Sequence, residues 1–320
     1  MKILEEIKQR AKNKDCTIIL PEANMDERVK QAAIEILNNN LSKLIVFGEE
    51  KDFPDEISND PNCCVINVEK YENLNQLANQ LYEIRKAKGL TLDQARELIK
   101  TPTYFAMMLL KNNMADGVVA GAKYSTADVL RPGLQIIKTK PGKKVVTGGT
   151  LMLKEDANPL FFGDVSLIEN PTSEELSEIA VASAEFMEKV LEVQPKVAML
   201  SYSTKGSASH DMVDKVRIAT ELAQNKGYLI DGEMQVDSAL DVATALNKGV
   251  TSEVGGQANV LVFPDLNAGN IGYKLVARLG GYIAVGPIML NFNKPINDLS
   301  RGCTVEEIIN TVLITKLLAD

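Results

Sequence analysis

Residues 117–132 read GVVAGAKYSTADVLRP. The stretch begins with two valines between glycines, which is typical of a short buried strand. A polar loop follows the strand and opens into a helix that begins near Ser125. A strand, a loop and a helix in this order form the repeating unit of a parallel α/β sheet.

The same alternation extends along the chain in both directions. Upstream, the segments at 17–20, 44–47 and 65–68 are predicted strands, and helical segments follow the first and the third of them. Downstream, strands are predicted at 197–202 and 228–235 with a helix between them, and a single helix is predicted at 237–247. Short apolar strands flanked by helices indicate parallel βαβ units in which both faces of the sheet are covered. The chain is therefore predicted to be an α/β protein with mostly parallel sheets.

The character of the sequence changes after the basic turn KTKPGKK, because the run at 145–154 is rich in β-forming residues. The final helix is predicted to pack back on the first domain. We therefore assign residues 1–143 plus 294–320 to the first domain and residues 144–293 to the second. The segment that begins at residue 294 would then lie at the junction between two αβα domains, where ligand clefts are common.

Composition excludes several classes of function. The chain has 320 residues, 45% of them hydrophobic, which is enough for two globular domains. The formal net charge of −8 argues against nonspecific binding to nucleic acid or to an anionic membrane, and the absence of Trp argues against base-stacking surfaces. The N-terminus is a charged amphipathic helix and no apolar run would span a membrane, so a cytoplasmic location is expected.

The histidine and cysteine contents limit the available chemistry. A single histidine, His210, excludes multi-histidine metal sites and leaves Ser-His-Asp catalysis dependent on that one residue. The four cysteines match neither a disulfide framework nor a C-x-x-C metal spacing. We therefore expect reduced thiols and no metal centre.

The segment KPINDLSRGCTVEE at 294–307 is the strongest candidate for the chemistry. It is predicted to be a polar loop between a buried strand and the final helix at 304–319. Thr304 and Glu307 have the spacing of a capping box. Free backbone N–H groups at this helix start, together with Arg301, would form a site for an anion.

Three further loops between strands and helices carry hydroxyl, cationic or acidic side chains. In the loop quoted first, Ser125, Thr126 and Arg131 could donate to phosphate oxygens, although a helix cap and a surface arginine would have the same sequence. The loop at 201–209 suits a phosphate or the polar part of a cofactor. The loop at 231–237 is conceivable as a hard-metal site, but acids paired with cations and a helix cap are favoured.

Residue chemistry alone therefore indicates a soluble α/β enzyme for a small phosphorylated or otherwise anionic substrate. It does not name the reaction. On the same grounds, the basic cluster around Arg85 is interpreted as charge complementation at the C-terminus of a helix.

Six separated blocks together resemble the phosphate acetyltransferase (phosphotransacetylase) family, and they follow one another over nearly the whole chain. The blocks are PEANMDERVKQAA (21–33), STADVLRPGLQIIKTKPG (125–142), STKGSASHDMVDKV (203–216), DGEMQVDSAL (231–240), GQANVLVFPDLNAGNIGYK (256–274) and KPINDLSRGC (294–303). The phosphate butyryltransferases of the same superfamily are the close competitor. The SRGC and DGE blocks are more similar to the acetyl enzyme.

The resemblance implies the reversible reaction acetyl-CoA + phosphate = CoA + acetyl phosphate, with coenzyme A as a substrate and no tightly bound cofactor. It also implies a homodimer and a two-domain fold similar to the isocitrate and isopropylmalate dehydrogenases, with the active site in the interdomain cleft. Two other classes stay open. One is a non-catalytic module that binds CoA or an acyl phosphate, and the other is a metal-dependent decarboxylating dehydrogenase on the similar fold.

By position, the resemblance assigns the family's catalytic serine–arginine pair to Ser300 and Arg301, and its substrate-binding arginines to Arg131 and Arg85. The family's catalytic aspartate falls on Glu307, whose side chain is one methylene longer. Glu307 is therefore the expected general base, and a helix cap is its alternative role. Four further side chains are expected to line the site for phosphate and CoA: Ser125, Thr126, Lys294 and Cys303.

Overall fold

The computed structural model describes residues 2–319, which divide into two compact units with one sheet each. The five-stranded unit comprises Leu4–Pro141 together with the C-terminal segment from Phe292. The six-stranded unit comprises Gly142–Asn291, with which the residues before Leu4 are grouped. The boundaries predicted from sequence, after residues 143 and 293, lie two residues further along the chain.

The sheet of the five-stranded unit is entirely parallel, with the strand order β11-β4-β1-β2-β3. Its strands are β1 (Thr17–Leu20), β2 (Lys43–Phe47), β3 (Cys63–Ile66), β4 (Gly117–Ala120) and β11 (Ile296–Asp298). The last strand therefore comes from the C-terminal segment and pairs with β4. Because all strands are parallel, the loops that follow β1, β4 and β11 meet at one edge of the sheet.

Helices cover this sheet, and two of them form much of the core. The helices are α1 (Lys2–Lys12), α2 (Glu27–Asn38), α3 (Asp55–Ser58), α4 (Leu74–Arg85), α5 (Leu92–Leu98), α6 (Pro102–Lys111), α7 (Thr126–Pro132) and α13 (Val305–Leu318). Every residue from 103 to 110 of α6 is buried, and so is every residue from 311 to 317 of α13. Helices that are apolar around most of their circumference are buried in this way.

The six-stranded unit has a mixed sheet with the order β10-β5-β6-β9-β7-β8. Its strands are β5 (Thr147–Leu153), β6 (Leu160–Gly163), β7 (Lys196–Leu200), β8 (Leu229–Met234), β9 (Val260–Val262) and β10 (Ile283–Leu290). Its helices are α8 (Ser173–Leu191), α9 (Asp211–Gln224), α10 (Val236–Leu240), α11 (Val242–Asn247) and α12 (Leu266–Gly280). The strand β5 is antiparallel to both of its neighbours, and the other pairs are parallel.

The predicted α/β class with mostly parallel sheets is confirmed, and two local expectations are corrected. The single helix expected near 237–247 is two short helices, α10 and α11, because Asp241 lies between them in an extended conformation. Its side chain caps α11 by accepting from the backbone N–H of Thr244.

Among the described residues, none of the helices has the length and apolar character needed to cross a membrane.

The second correction concerns the segment 294–303, which was expected to be a loop and contains the strand β11. Its sequence, Ile-Asn-Asp, is mostly polar, yet all three residues are buried. The amide of Asn297 donates to the hydroxyl of Thr315 at 2.8 Å, and the carboxylate of Asp298 accepts from Thr126. Hydrophobic pattern does not predict a buried strand of this kind, because its polar residues are paired only once the chain is folded.

Candidate active site

The loop after β4 is held by the carboxylate of Glu22, which is completely buried. One carboxylate oxygen accepts from the backbone N–H groups of Gly121 and Ala122, at 2.7 and 3.1 Å. The other accepts from those of Lys123 and Tyr124, at 2.7 and 2.8 Å. Successive backbone N–H groups of this kind form a site for an anion, and here the anion is supplied by the chain itself.

The next two residues of this loop also use their hydroxyl protons internally. Ser125 caps α7 and donates to the carboxylate of Asp128 at 2.6 Å, within a capping box. Thr126 donates to the carboxylate of Asp298 at 2.6 Å. A hydroxyl has a single proton to donate. Both hydroxyl protons therefore have acceptors within the protein and are not free to be donated to a phosphate.

The loop after β11 carries Ser300 and Arg301, and both side chains are exposed. The backbone N–H of Leu299 donates to the carbonyl of Ala120 at 2.7 Å, which fixes the start of the loop against β4. The hydroxyl oxygen of Ser300 accepts from the N–H of Gly302 at 3.3 Å. The proton of this hydroxyl has no acceptor among the described residues, so it can be donated to a ligand.

Arg28, at the start of α2, supports this loop through hydrogen bonds, although no site role was predicted for it. Its guanidinium donates to the carbonyls of Arg301 and Cys303 at 2.9 and 2.7 Å, and to that of Ala122 at 3.3 Å. It also forms two hydrogen bonds with the carboxylate of Asp26, which hold the pKa of that carboxyl below its ordinary value. One arginine thus connects the loops after β1, β4 and β11. The sequence feature that could have indicated this role is the position of Arg28 within the block 21–33.

Glu307 is engaged in the capping box that was predicted at the start of α13. Its carboxylate accepts from the N–H of Thr304 at 2.8 Å, and its own N–H donates to the hydroxyl of Thr304 at 3.2 Å. The residue is half-buried. The side chain is thus tied to the helix start through one oxygen, Oε2.

Three arginines of the five-stranded unit lack an internal partner. The guanidinium groups of Arg85, Arg131 and Arg301 form no hydrogen bond or ion pair with any residue in 2–319. In contrast, Arg96 and Arg217 pair with carboxylates at 3.0 and 2.8 Å. A guanidinium presents up to five donors in a planar fork that matches carboxylate and phosphate groups. These three side chains are therefore available to bind an anionic ligand.

Arg85 and Arg131 both act electrostatically on the hydroxyl of Tyr104 in α6. Burial raises the pKa of Tyr104, and the two guanidinium groups oppose this shift. The hydroxyl of Tyr104 donates to the side-chain carbonyl of Gln135 at 3.1 Å. Arg85, Tyr104 and Gln135 line a cavity of about 830 Å³ next to α5. The two arginines that are separated by 46 positions in sequence therefore lie around one tyrosine.

Two further predicted site residues have structural partners. The ammonium of Lys294 donates to the carbonyl of Leu110 at 2.9 Å and to the side chain of Asn113 at 2.6 Å. Lys294 precedes β11 and Ser300 follows it, so the two lie at opposite ends of this strand, and we leave Lys294 out of the site proposed below. Cys303 is buried, and burial raises the pKa of its thiol. Its sulfur is therefore not exposed as a nucleophile.

Asp298, the last residue of β11, was not predicted to belong to the site. It is 3% exposed, and its oxygen Oδ1 has no hydrogen-bond partner among the described residues. Burial raises the pKa of this carboxyl to about 6, and the neighbouring Glu22 carboxylate adds to the shift. A buried carboxylate with one unpaired oxygen lowers the stability of the folded chain.

In the six-stranded unit, the acids of the 231–237 loop are paired internally. Asp231 forms an ion pair with Lys205, and Glu233 accepts from Ser203 at 3.0 Å and from the N–H of Gly206 at 2.7 Å. The expected cation partner is thus present for Asp231, whereas Glu233 is bonded to a hydroxyl and a backbone N–H instead of a cation. The expected helix cap at Asp237 is also wrong, because this residue lies inside α10 and pairs with Lys248 at 2.7 Å. Within residues 2–319, no group of three or more His, Cys, Asp or Glu side chains could hold a metal ion.

The raised pKa of Asp298 predicts a specific effect of pH on stability. Between pH ~4 and pH ~6 the folded chain holds a proton on Asp298 that the unfolded chain has lost, so this contribution to stability decreases as pH rises. Asp298→Asn removes the effect. We expect the variant to gain up to about 3 kcal/mol relative to the natural chain between pH ~4 and pH ~7. Urea denaturation at several pH values measures this, and a constant difference would contradict it.

The model of the "Phosphate acetyl/butaryl transferase" family matches residues 2–316. A phosphate acetyltransferase from Acetivibrio thermocellus is 44% identical over 329 aligned positions, which cover 100% of this chain and 98% of that protein. The crystal structure of a phosphotransacetylase from Streptococcus pyogenes superposes with a TM-score of 0.93 at 41% identity, over 99% of this chain and 97% of that one.

A more distant likeness concerns the fold alone. A structure described as a 4-hydroxythreonine-4-phosphate dehydrogenase from Salmonella typhimurium has a TM-score of 0.56 at 14% identity, over 96% of this chain and 100% of that one. The expected relation to a dehydrogenase-like fold is therefore confirmed at the level of architecture. The family model and the full-length relative decide the assignment more closely: the chain belongs to the phosphate acetyl/butyryl transferase family.

Proposed function

We propose that this chain catalyses the reversible transfer of an acetyl group between coenzyme A and inorganic phosphate, by direct attack of the CoA thiolate on acetyl phosphate. The family and the relatives named phosphate acetyltransferase support the reaction. The observation that carries the site is a set of groups that have no partner among residues 2–319, namely the guanidinium groups of Arg85, Arg131 and Arg301 and the hydroxyl proton of Ser300. Both substrates of this reaction carry phosphate groups, which guanidinium groups bind well.

The proposed roles divide between binding and chemistry. Arg131 and Arg301 hold the phosphoryl group of acetyl phosphate, and Arg85 binds a phosphate of CoA beside the cavity at Tyr104. This division is supported by the absence of competing carboxylates on these three side chains. Because the backbone N–H groups of the loop at 121–124 are already bonded to Glu22, side chains supply most of the attraction for the anion.

The chemical step begins with the CoA thiol. The reference pKa of a cysteine thiol is about 8.5, and an alkyl thiol of this kind is mostly protonated at neutral pH. Glu307 accepts the thiol proton, and general-base catalysis of this kind is worth roughly 10²–10⁴-fold in rate. The sulfur forms a bond with the acetyl carbon, and the bond from that carbon to the phosphate oxygen breaks. Ser300 donates a hydrogen bond to the thiolate or to the developing oxyanion. The guanidinium groups offset charge on the departing phosphate.

The acyl group is tested by following thioester absorbance when the purified chain is mixed with CoA and acetyl phosphate. We expect fast acetyl transfer without added NAD, and slower transfer from butyryl phosphate in a parallel reaction. Faster reaction with butyryl phosphate would change the assigned acyl group and leave the mechanism in place. CoA binding without turnover of either substrate would instead favour the non-catalytic binding module.

Glu307 has a rival role as the acid of a helix cap, and the chain offers a matched control. The capping box of α8 has the same geometry, since Thr172 and Glu175 form the same two hydrogen bonds at 2.8 and 3.2 Å. Glu307→Gln and Glu175→Gln should therefore lower the melting temperature to a similar extent. We expect only Glu307→Gln to reduce kcat, by about 10²-fold or more.

The comparison separates the two roles of Glu307 in a single pair of assays. If Glu307→Gln and Glu175→Gln both retain the turnover of the natural chain, the carboxylate is a cap and another group must accept the thiol proton. A loss of a cap costs only about 1 kcal/mol, which does not produce a large change in rate.

The chain is further proposed to act as a homodimer in the cytoplasm. The helix α12 supports association, because Ile271, Leu275 and Leu279 form one apolar stripe and are 57%, 52% and 82% exposed. Residues spaced by four positions lie on the same helix face. Light scattering of the purified chain should give about twice the monomer mass of 35.0 kDa, and a monomer mass at micromolar concentration would contradict the proposal.

A further inference from the structure

Two segments that carry the proposed anion-binding groups are joined by a single side-chain hydrogen bond. Thr126 is the first residue of α7, the helix that also carries Arg131. Asp298 ends β11, two residues before Ser300. The hydroxyl of Thr126 donates to Oδ2 of Asp298 at 2.6 Å. This bond therefore ties the start of α7 to the strand from which the Ser300 loop begins.

The surroundings of Asp298 leave it little freedom. A Cβ atom on Gly121 would lie 2.4 Å from Oδ1 of Asp298 and 2.6 Å from the backbone nitrogen of Leu299, so only glycine fits there. The backbone N–H of Leu299 is bonded to Ala120 at 2.7 Å. Asp298 is thus enclosed by the end of β4 on one side and by Thr126 on the other.

The fold gains nothing from the charge of Asp298. One oxygen has no partner among the described residues, the carboxylate of Glu22 lies nearby, and both groups are buried. An asparagine would accept the same hydrogen bond from Thr126 without a buried charge. Residues that cost stability in this way concentrate where function requires them.

We propose that Asp298 is a positioning residue for acetyl transfer, which acts through Thr126 to hold Arg131 in a fixed geometry relative to Ser300 and Arg301. The inference rests on the proposed roles of those three residues. A charged acceptor makes the bond to Thr126 stronger than a neutral one would. The ionised carboxylate thereby holds the first residue of α7 against β11.

The short length of α7 makes its start important for Arg131. The helix has 7 residues, and Arg131 lies five positions after Thr126, which corresponds to about 7.5 Å along the helix axis. A shift or rotation at Thr126 is therefore passed on to the guanidinium. A displacement of ~1 Å in a catalytic constellation can reduce the rate by about 10²-fold.

The test measures kcat and KM for phosphate and for acetyl phosphate in Thr126→Val, Thr126→Ser, Asp298→Asn and the double variant that combines Thr126→Val with Asp298→Asn. We expect Thr126→Val to reduce kcat roughly tenfold with a smaller change in KM, because positioning acts mainly in the transition state. Thr126→Ser keeps the hydroxyl and should stay within about twofold of the natural chain. Asp298→Asn should reduce kcat less than Thr126→Val, because the asparagine amide keeps a weaker, neutral acceptor for the hydroxyl. The double variant should be no slower than Thr126→Val by more than about twofold, since Asp298→Asn weakens the link that Thr126→Val removes.

A matched control uses the same hydrogen bond elsewhere. In the six-stranded unit, the hydroxyl of Thr244 donates to the carboxylate of Asp241 at 2.6 Å, also at a helix start. Thr244→Val should leave kcat unchanged. Thr126 is exposed, so Thr126→Val should fold, and its melting temperature is compared with that of Thr244→Val.

Three results would overturn the proposal. The first is a kcat of Thr126→Val that equals the kcat of the natural chain. The second is an increase confined to KM, which would make Thr126 a direct ligand of the anion. The third is full additivity of the two changes, which would mean that the residues act separately. Activity of the natural chain tests the proposed function itself, whereas these ratios between variants test the positioning role.

Discussion

The geometry of the site depends on the bonds between one buried carboxylate and four backbone N–H groups. Glu22 follows β1, and its carboxylate shapes the loop after β4 from Gly121 to Tyr124. This loop in turn places Gly121 against Asp298 and begins the capping box at Ser125. Without the carboxylate, the buried N–H groups of Gly121 and Ala122 would lose their acceptor, at a cost of about 1–3 kcal/mol for each buried unpaired group.

The six-stranded unit uses the same device twice. Glu233 accepts from the loop at 203–206, and Asp164 accepts from the backbone N–H groups of Ser166, Leu167 and Ile168. Loops rich in donors are stabilised by acids from the chain, which explains how an acidic protein keeps them ordered. The arginines of the chain accordingly have two different roles. Arg28 is consumed by carbonyls and a carboxylate, whereas Arg131 and Arg301 are left without a partner among the described residues.

Much of this arrangement could be predicted from sequence, because local patterns determine it. The capping box at Thr304 follows from residues three positions apart, and the α/β class follows from short apolar strands that alternate with helices. The strand β11 could not be predicted in this way, since the partners of its buried polar residues are Thr126 and Thr315. The site roles of Glu22 and Arg28 could not be predicted for the same reason. Their partners in the loops after β4 and β11 lie about a hundred or more positions away, so only the folded chain shows that they are bonded.

The internal anion at Glu22 also bears on how substrates leave. A loop whose donors were satisfied only by phosphate would lose its bonding whenever the product departed, and it would have to reorganise before the next cycle. Here those donors have an acceptor in the chain itself, so the loop does not need a ligand to complete its hydrogen bonds. A reaction that runs in both directions passes through the same transition state each way, and a scaffold that does not depend on the ligand serves either direction without rearrangement.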